Sequence, residues 1–154
     1  MLAYNHLLFG IGSWMGLELA GVSTSLPLPA EIALVCVGSL LPDVDHPDSV
    51  VGRKVLWLSW PIRIFFGHRG ITHSLLAVIF CAWALYSVPS YGFCLAFGYL
   101  THLAGDYLTG GVPLLWPMRR QYRFPLSFST GGIVEHALVI GAFGALLAWL
   151  LNTR

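Results

Sequence analysis

Residues 91–108 read YGFCLAFGYLTHLAGDYL, a largely apolar run that carries His102 and Asp106 near its C-terminal end. The run has close to the roughly 20 residues that a helix needs to cross a bilayer. Side chains four positions apart lie on one helix face, one turn from each other. The stretch therefore predicts a membrane-embedded helix whose imidazole and carboxylate both reach one cation. Taken alone, the pair fits a structural hydrogen bond inside a helical bundle equally well.

Four further apolar segments surround this one and indicate the fold class. Hydrophobic residues make up 56% of the 154 residues and charged residues only 10%, whereas the charged share of a soluble domain is about 25%. We predict a single all-α integral membrane domain, residues 1–154, built as a membrane-embedded bundle of about five helices. The segments cover residues 4–22, 30–41, 71–88, 91–108 and 133–151. The second is short for a bilayer crossing and is typical of a buried or partly inserted helix.

The cysteines and the N-terminus add little chemistry. Cys36, Cys81 and Cys94 all lie inside apolar runs, which favours buried thiols over a disulfide framework. Residues 1–21 lack the basic start and the small-residue cleavage pattern of a signal peptide, so we expect a retained helix there.

Side chains of the metal-ligand type recur at the ends of the predicted helices. If successive helices alternate in direction, these ends meet at one face of the membrane, which is the arrangement of a metal site. The candidate ligands are His6, Asp43, Asp45, His68, His73, His102, Asp106 and Glu135. Singly, His6 fits a packed or interfacial histidine, and Glu135 fits an acid favoured by the helix dipole. Their position on the same side as the others makes them candidates.

Residues 41–47, LPDVDHP, carry two of these acids between two prolines. The prolines stop a helix and favour extended backbone before Pro47. In an extended chain Asp43 and Asp45 point the same way and can bind or bridge metal ions. The alternative is a helix-ending turn in which an aspartate caps backbone groups.

Residues 67–74, GHRGITHS, are predicted to open the third helix. A helix N-terminus presents free N–H groups and a partial positive charge, so this turn suits an anionic group, with Arg69 making a bidentate contact to phosphate. Either His68 or His73 supplies an imidazole to the metal. The alternatives are lipid-headgroup pairing for Arg69 and simple capping for Thr72 and Ser74.

The basic residues favour one side of the membrane. The loops on the side of the N-terminus hold Arg53, Lys54, Arg63, Arg69, Arg119, Arg120 and Arg123, and the opposite end holds Arg154. By the positive-inside rule the loop side, with the metal site, is predicted to be cytoplasmic. Residues 55–66 and 116–124 mix aromatic and basic side chains, which indicates an interfacial anchor, a substrate-binding surface, or both.

The candidate ligands have a recognisable chemistry. Histidines and carboxylates without thiolates suit zinc, and also manganese or iron. Such ions activate water for the hydrolysis of phosphoesters without a serine or cysteine nucleophile. In this interpretation the catalytic residues are Asp45, His73 and Asp106, together with Arg69, which neutralises phosphate oxygens.

Four stretches resemble the YdjM family of bacteria: LLPDVDHP (residues 40–47), FGHRGITHSLLA (66–77), GYLTHLAGDYLTGGVPLLWP (98–117) and RRQYRFPL (119–126). Members of that family are LexA-regulated inner-membrane proteins described, by inference, as metal-dependent hydrolases. The resemblance runs from about residue 6 to residue 124. It implies a multi-pass protein of the bacterial inner membrane, a connection with the SOS response, and a hydrolytic activity.

That family is in turn remotely similar to zinc-dependent phospholipase C and the single-strand-specific zinc nucleases, which are all-helical enzymes with three zinc ions. Their ligand pattern is matched by His6, by Asp43 or Asp45, by His68 or His73, and by His102 with Asp106. Those enzymes begin with a tryptophan where this chain has Met1, and only Glu135 and His136 follow Asp106 here. The resemblance therefore implies one or two divalent ions, zinc before manganese or iron, rather than three.

Two functions of different classes remain. The first is a membrane-bound metal-dependent hydrolase of phosphoesters, with a phospholipid or another amphiphilic phosphate as substrate and membrane lipids as partners. The second is a non-catalytic membrane protein whose structural or sensory metal site binds a partner or anionic lipid. Metal transport needs ionisable groups through the bilayer depth, where the far halves of the helices hold little besides Glu18. No nucleic-acid partner is indicated, and the oligomeric state is left open.

Overall fold

Six α-helices make up most of the chain in a computed structural model, which describes residues 1–67, 69–118 and 120–152. They are α1 (Ala3–Leu19), α2 (Leu28–Leu40), α3 (Leu56–Phe66), α4 (Leu75–Ala84), α5 (Pro89–Thr109) and α6 (Ile133–Asn152). Short 3₁₀ helices cover Leu41–Asp45, Gly52–Lys54 and Ile71–His73. Within the described ranges, the β-structure consists of one isolated antiparallel bridge, Val112 with Tyr122. The all-α class is confirmed, with one helix more than the sequence predicts.

Helices α2 and α5 pack closely through two glycines. A Cβ atom on Gly38 would lie 2.1 Å from the carbonyl oxygen of Leu95, and one on Gly98 would lie 2.1 Å from that of Val35. Small residues of this kind let helix backbones approach closely, as they do in membrane proteins. The C-terminal end of α2 is thereby held against the half of α5 that carries His102 and Asp106.

Helix α1 completes the central packing. Trp14 of α1 is fully buried against Val35 of α2 and Cys94 of α5. One turn earlier, Gly10 lies so close to α2 that a Cβ atom would overlap the hydroxyl of Ser39. The N-terminal turn of α1, with His6, is consequently carried to the same end of the bundle as the end of α2.

The outer faces of α3, α4 and α6 are apolar. Trp57 is 77% exposed, Phe65 79% and Ile133 86%, and monomeric soluble proteins rarely leave large apolar patches uncovered. Of the described helices, α6 is the one that is both long and apolar enough to cross a membrane, by length and composition. The five crossings predicted from the sequence are therefore not confirmed.

The predicted third segment, residues 71–88, forms a shorter helix. Ile71–His73 is a 3₁₀ turn, Ser74 is extended (φ −121°, ψ 157°), and α4 begins only at Leu75, whose N–H donates to the carbonyl of Leu114 (3.0 Å). The helix ends at Ala84, and Val88, which precedes Pro89, has left the helical region (φ −131°, ψ 69°), as the residue before a proline tends to do. The helix therefore begins four residues later than the predicted start at Ile71, and the last residue of GHRGITHS, Ser74, is its N-cap residue rather than part of its first turn.

Two loops also differ from the expectation. Asp43 and Asp45 lie in the 3₁₀ helix Leu41–Asp45 rather than in extended backbone. With three residues per turn, side chains two positions apart diverge instead of pointing the same way. His46 before Pro47 is extended as predicted (φ −110°, ψ 103°). The aromatic stretch 55–66 is not a loop but forms α3, with Pro61 inside it.

Candidate metal centre

Five side chains from four parts of the chain meet at one end of the bundle. They are His6 of α1, Asp43 of the 3₁₀ helix after α2, His73 of the 3₁₀ helix before α4, and His102 and Asp106 of α5. Ligand atoms lie within 4.8 Å of one another in two overlapping groups, His6–His102–Asp106 and Asp43–His73–His102. We call these five residues the His–Asp cluster. The four other than Asp43 are at most 2% exposed.

The central distances of the cluster involve the Nε2 atoms of two histidines. Nε2 of His73 and Nε2 of His102 are 3.4 Å apart. Each lies 3.7 to 3.9 Å from a carboxylate oxygen of Asp43 and one of Asp106. Nε2 of His6 lies 3.4 Å from the other oxygen of Asp106. These nitrogens and oxygens surround a common space.

Backbone packing orients His102. Its Nδ1 donates to the carbonyl of Ser39 at the end of α2 (2.7 Å), which leaves Nε2 as the free acceptor on the cluster side. The ring stacks on His6 with centroids 3.7 Å apart and planes 9° from parallel. A metal-binding histidine typically donates its other N–H to a carbonyl or carboxylate in this way.

His73 is oriented by two acceptors. Its Nδ1 lies 3.2 Å from Oδ2 of Asp45 and 3.1 Å from Oγ1 of Thr72, whose own proton goes to Asp45 (2.5 Å). Because both neighbours accept, the proton of the ring sits on Nδ1 and the lone pair of Nε2 faces the cluster. Asp45, which is fully buried, thus lies on the side of the ring that faces away from the cluster.

The donor set fits a divalent metal. With protons on both Nδ1 atoms, the lone pairs of His73 and His102 face each other at 3.4 Å, a repulsive arrangement that a cation between them relieves. Two ligand atoms of a tetrahedral zinc site are roughly 3.4 Å apart, since each is about 2.0 to 2.1 Å from the ion. Among the residues that the structure describes, no hydrogen-bond partner reaches the buried Nδ1 of His6. Three imidazoles and two carboxylates are ligands suited to zinc.

Asp106 of the cluster forms an ion pair with Arg69. Its Oδ2 pairs with Nη2 of Arg69 (3.0 Å), and its Oδ1 accepts from the backbone nitrogen of Met1 (2.5 Å). The Nη1 of Arg69 donates to the carbonyl of Gly111, and its backbone N–H donates to Asp45. These contacts hold Arg69 in the left-handed region (φ 58°), an uncommon conformation for a residue with a side chain.

Burial affects the charge of the most accessible member. Asp43 is 23% exposed, and burial raises the pKa of its carboxyl, helped by the nearby charges of Asp106 and Asp45 and opposed by those of His6 and His73. A bound cation would remove this cost by favouring the ionised form.

The structure does not bring every predicted ligand to the cluster. Glu135 accepts hydrogen bonds from the N–H of Leu2, the side-chain amide of Asn5 and the N–H of Gly131, and neither ligand group found among the described residues includes it. Asp45 is also absent from both groups, for it contacts the far side of His73. His68 lies outside the described residues, so His73 is the histidine of this pair that the structure places in the cluster.

Some of the residues that orient the ligands are not among the predicted site residues. The carbonyl of Ser39 and the hydroxyl of Thr72 both fix a histidine ring. Tyr99 supports this arrangement by donating its hydroxyl proton to the carbonyl of Thr72 (2.5 Å). The sequence does not show which backbone carbonyl a histidine ring contacts. In contrast, Thr72 is next to His73 in the sequence, and this position indicates that its hydroxyl can orient the ring.

Comparison with known proteins agrees with the resemblance in the sequence. A family model described as YdjM inner membrane protein matches residues 1–153. The inner membrane protein YdjM of Escherichia coli strain K12 and that of Shigella flexneri are each 42% identical over 142 residues, 82% of this chain and 70% of theirs. The uncharacterized protein YvsG of Bacillus subtilis strain 168 is 37% identical over 110 residues, 68% of each chain. No solved structure matches significantly, so the likeness to phospholipase C stays a prediction.

Proposed function

The chain belongs to the YdjM family of inner membrane proteins, and from that premise we propose that it is a membrane-bound, metal-dependent hydrolase of phosphoesters. The observation that supports this most directly is the position of the two Nε2 atoms, 3.4 Å apart, between the carboxylates of Asp43 and Asp106. The ligand types favour zinc, with manganese or iron as alternatives.

The side chains divide into those that hold a metal and those that hold the ligands in place. His6, Asp43, His73, His102 and Asp106 would bind one or two ions. When bound, such an ion lowers the pKa of water and polarises a phosphoryl oxygen. Asp45 and the carbonyl of Ser39, described above, keep the histidine rings in the required tautomer.

Arg69 is the group suited to the substrate. Its guanidinium contacts the cluster through Asp106 and also lines an open cleft of about 570 Å³ between the end of α3 and the loop after α5. The walls of this cleft include Phe66 and Trp116. A cation at the border of a metal site and a cleft with both polar and apolar walls suits a phosphate group that carries an apolar substituent. Arg69 would bind the phosphate oxygens and stabilise the charge that develops on them.

The membrane setting favours an amphiphilic substrate. The basic residues of the sequence favour a cytoplasmic position for the cluster side, and α3, with Trp57 and Phe65 largely exposed, has the composition of an interfacial helix. We therefore place the cleft at the level of the lipid headgroups on the cytoplasmic side.

Burial of the cluster supports a second candidate. Apart from Asp43, the ligands are at most 2% exposed, as structural metal sites often are, whereas catalytic sites keep a position open to substrate. A structural or sensory metal site is therefore the alternative. It predicts bound metal without turnover.

The decisive experiment measures metal and turnover in the same preparations. We expect purified protein in detergent to contain zinc by elemental analysis and to hydrolyse some member of a phosphoester panel that includes lipid vesicles. His102→Ala and Asp106→Ala should lose both, while His136→Ala, a histidine outside the cluster, should retain both. Metal content unchanged in the two cluster variants would overturn the site. Metal lost from those variants, but no turnover by the wild type, would favour the structural alternative.

A further inference from the structure

An apolar crevice lies between α1 and α6, separate from the Arg69 cleft. Its volume is about 410 Å³, and its walls include Leu8, Phe9 and Gly12 of α1 with Leu138, Phe143 and Leu146 of α6. The lining is almost entirely hydrocarbon. The ligand that suits such walls is an apolar chain rather than a polar metabolite.

Small side chains keep the crevice open. A Cβ atom on Gly12 would lie 3.3 Å from Cδ2 of Phe143, so even a methyl group there would crowd the opposite wall. Ala142 is also part of the lining. The helix α6 packs mainly along α1, and its outer face is largely exposed, with Ile140 55% and Leu151 80% accessible. The crevice therefore opens towards whatever surrounds α6.

One end of the crevice adjoins the His–Asp cluster. Thr109 lines the crevice and follows Asp106 by three residues on α5, so the two side chains are neighbours on one helix face. The backbone nitrogen of Met1, which is also part of the lining, contacts both Asp106 and Thr109. At its polar end the crevice is thus lined by Met1, which contacts Asp106 of the cluster. Its apolar end lies along α6.

From this adjacency we propose that the crevice binds the long acyl or alkyl chain of an amphiphilic phosphate whose headgroup lies at the His–Asp cluster. The proposal rests on the proposed function and adds where the apolar part of the substrate lies. The occupant is a lipid chain because α6 is long and apolar enough to cross a membrane and the chain belongs to an inner membrane family. A crevice beside such a helix opens to hydrocarbon.

Chain-length dependence of binding gives the first test. The probes are monoalkyl phosphates of increasing length, with binding measured by displacement of a fluorescent lipid from detergent-solubilised protein. Affinity should rise about fourfold per methylene, as burial of apolar surface implies, until the crevice is filled. Ala142→Trp should abolish this rise for long chains, with at least a tenfold loss, and leave short chains unchanged. Ala145→Trp, the same substitution on α6 outside the lining, should behave as wild type.

A second measurement locates the chain directly. An alkyl phosphate with a diazirine at its chain end should, on irradiation, label α1 or α6 near Phe143 and Leu146. Labels confined to α3 or α4, or an Ala142→Trp variant with the wild-type length profile, would overturn the proposal. So would crosslinking that shows a second copy of the chain covering the crevice.

Both readouts are independent of turnover, so failure of the proposed function is recognised separately. If the crevice binds alkyl chains but no phosphoester is cleaved, the hydrolase proposal fails and the site stands. If a short water-soluble phosphoester is cleaved, and Ala142→Trp changes neither that rate nor the binding of long chains, the hydrolase stands and the crevice proposal fails.

Discussion

Asp45 and His73 face each other across a buried contact: Oδ2 of the aspartate lies 3.2 Å from Nδ1 of the imidazole, on the side of the ring away from the cluster. The same carboxylate accepts the backbone N–H of Arg69 and the hydroxyl of Thr72. Asp45 therefore connects the orientation of a candidate ligand with the turn that carries the candidate phosphate-binding arginine. Its role in this geometry is to position His73 rather than to bind the metal.

Replacing Asp45 by Asn tests that role. The amide keeps the size of the side chain but loses the charge that favours a proton on Nδ1 of His73. We expect the protein to fold and to bind zinc about 10- to 100-fold more weakly, the usual effect of removing such a partner. Competition with a chromogenic chelator measures the affinity. Asp48→Asn, at an exposed position nearby, should match the wild type, and an unchanged affinity for Asp45→Asn would place the carboxylate outside the metal site.

Two substitutions of Arg69 test the role of its charge separately from the strain of its backbone conformation. We expect Arg69→Ala and Arg69→Gly both to retain metal and to lower turnover by about 100-fold, the effect of removing one charge-stabilising group. Because φ is 58° at this position, Arg69→Gly should be more stable than Arg69→Ala by about 1 kcal/mol. Phosphate release and thermal unfolding of the two variants give the comparison. Wild-type turnover in both would exclude the arginine from the reaction.

The sequence predicts which helix ends lie together, but it does not predict the local backbone conformation that orients each ligand. The apolar segments and their lengths locate five of the six described helices. Alternation of helix direction predicts that His6, His73, His102 and Asp106 meet, and the structure brings these residues together. This step depends only on topology, because helices that alternate in direction bring the start of the first helix to the same side as the end of the second.

The local backbone could not be predicted in the same way. The sequence predicts that Asp43 and Asp45 point the same way, but in the 3₁₀ turn Asp43 faces the cluster and Asp45 contacts the far side of His73. That turn depends on tertiary contacts, since Asp45 accepts from Arg69 and Thr72 more than 20 residues away. Likewise, the sequence predicts that Glu135 lies on the cluster side, but only the folded structure shows the donors from Leu2, Asn5 and Gly131 that occupy its carboxylate.

Glu135 is expected to affect stability and not metal. It accepts from the N–H of Leu2, from Asn5 and from the N–H of Gly131, and removing a buried acceptor costs about 1 to 3 kcal/mol for each donor left without a partner. Glu135→Ala should therefore loosen the start of α6, with faster hydrogen exchange in residues 1–5 and 129–136, while zinc content stays at the wild-type value. Loss of zinc from this variant would restore Glu135 as a ligand.

The folding stability of the metal-free protein should depend on pH through the titration of Asp43. Burial raises the pKa of this carboxyl, so the folded protein keeps the proton on Asp43 to a higher pH than the unfolded chain does. Its contribution to stability is therefore full below the pKa of an unfolded aspartate and is lost as the pH rises through the folded pKa. Metal binding requires the ionised form, so zinc affinity should fall as the pH falls through the same value.

Asp43→Asn isolates this contribution. Relative to the wild type, the metal-free variant should lose less stability as the pH rises from acid to neutral, and its weaker zinc affinity should depend less on pH. Thermal unfolding and chelator competition across that range measure both quantities. Parallel pH profiles for the two proteins would contradict the assignment of the titration to Asp43.

The close contact of α2 with α5 should be the least tolerant part of the fold. A Cβ atom on Gly98 would lie 2.1 Å from the carbonyl oxygen of Val35, a backbone atom that only a shift of the whole helix can move. We expect Gly98→Ala to cost about 3 kcal/mol, at the upper end for an overpacked site, and to weaken zinc binding because the carbonyl of Ser39 moves away from His102. Gly16→Ala on α1, where a Cβ atom meets nothing within 4 Å, should be neutral or stabilising by up to about 1 kcal/mol. Equal melting temperatures for the two variants in detergent would show that α2 and α5 are not in backbone contact.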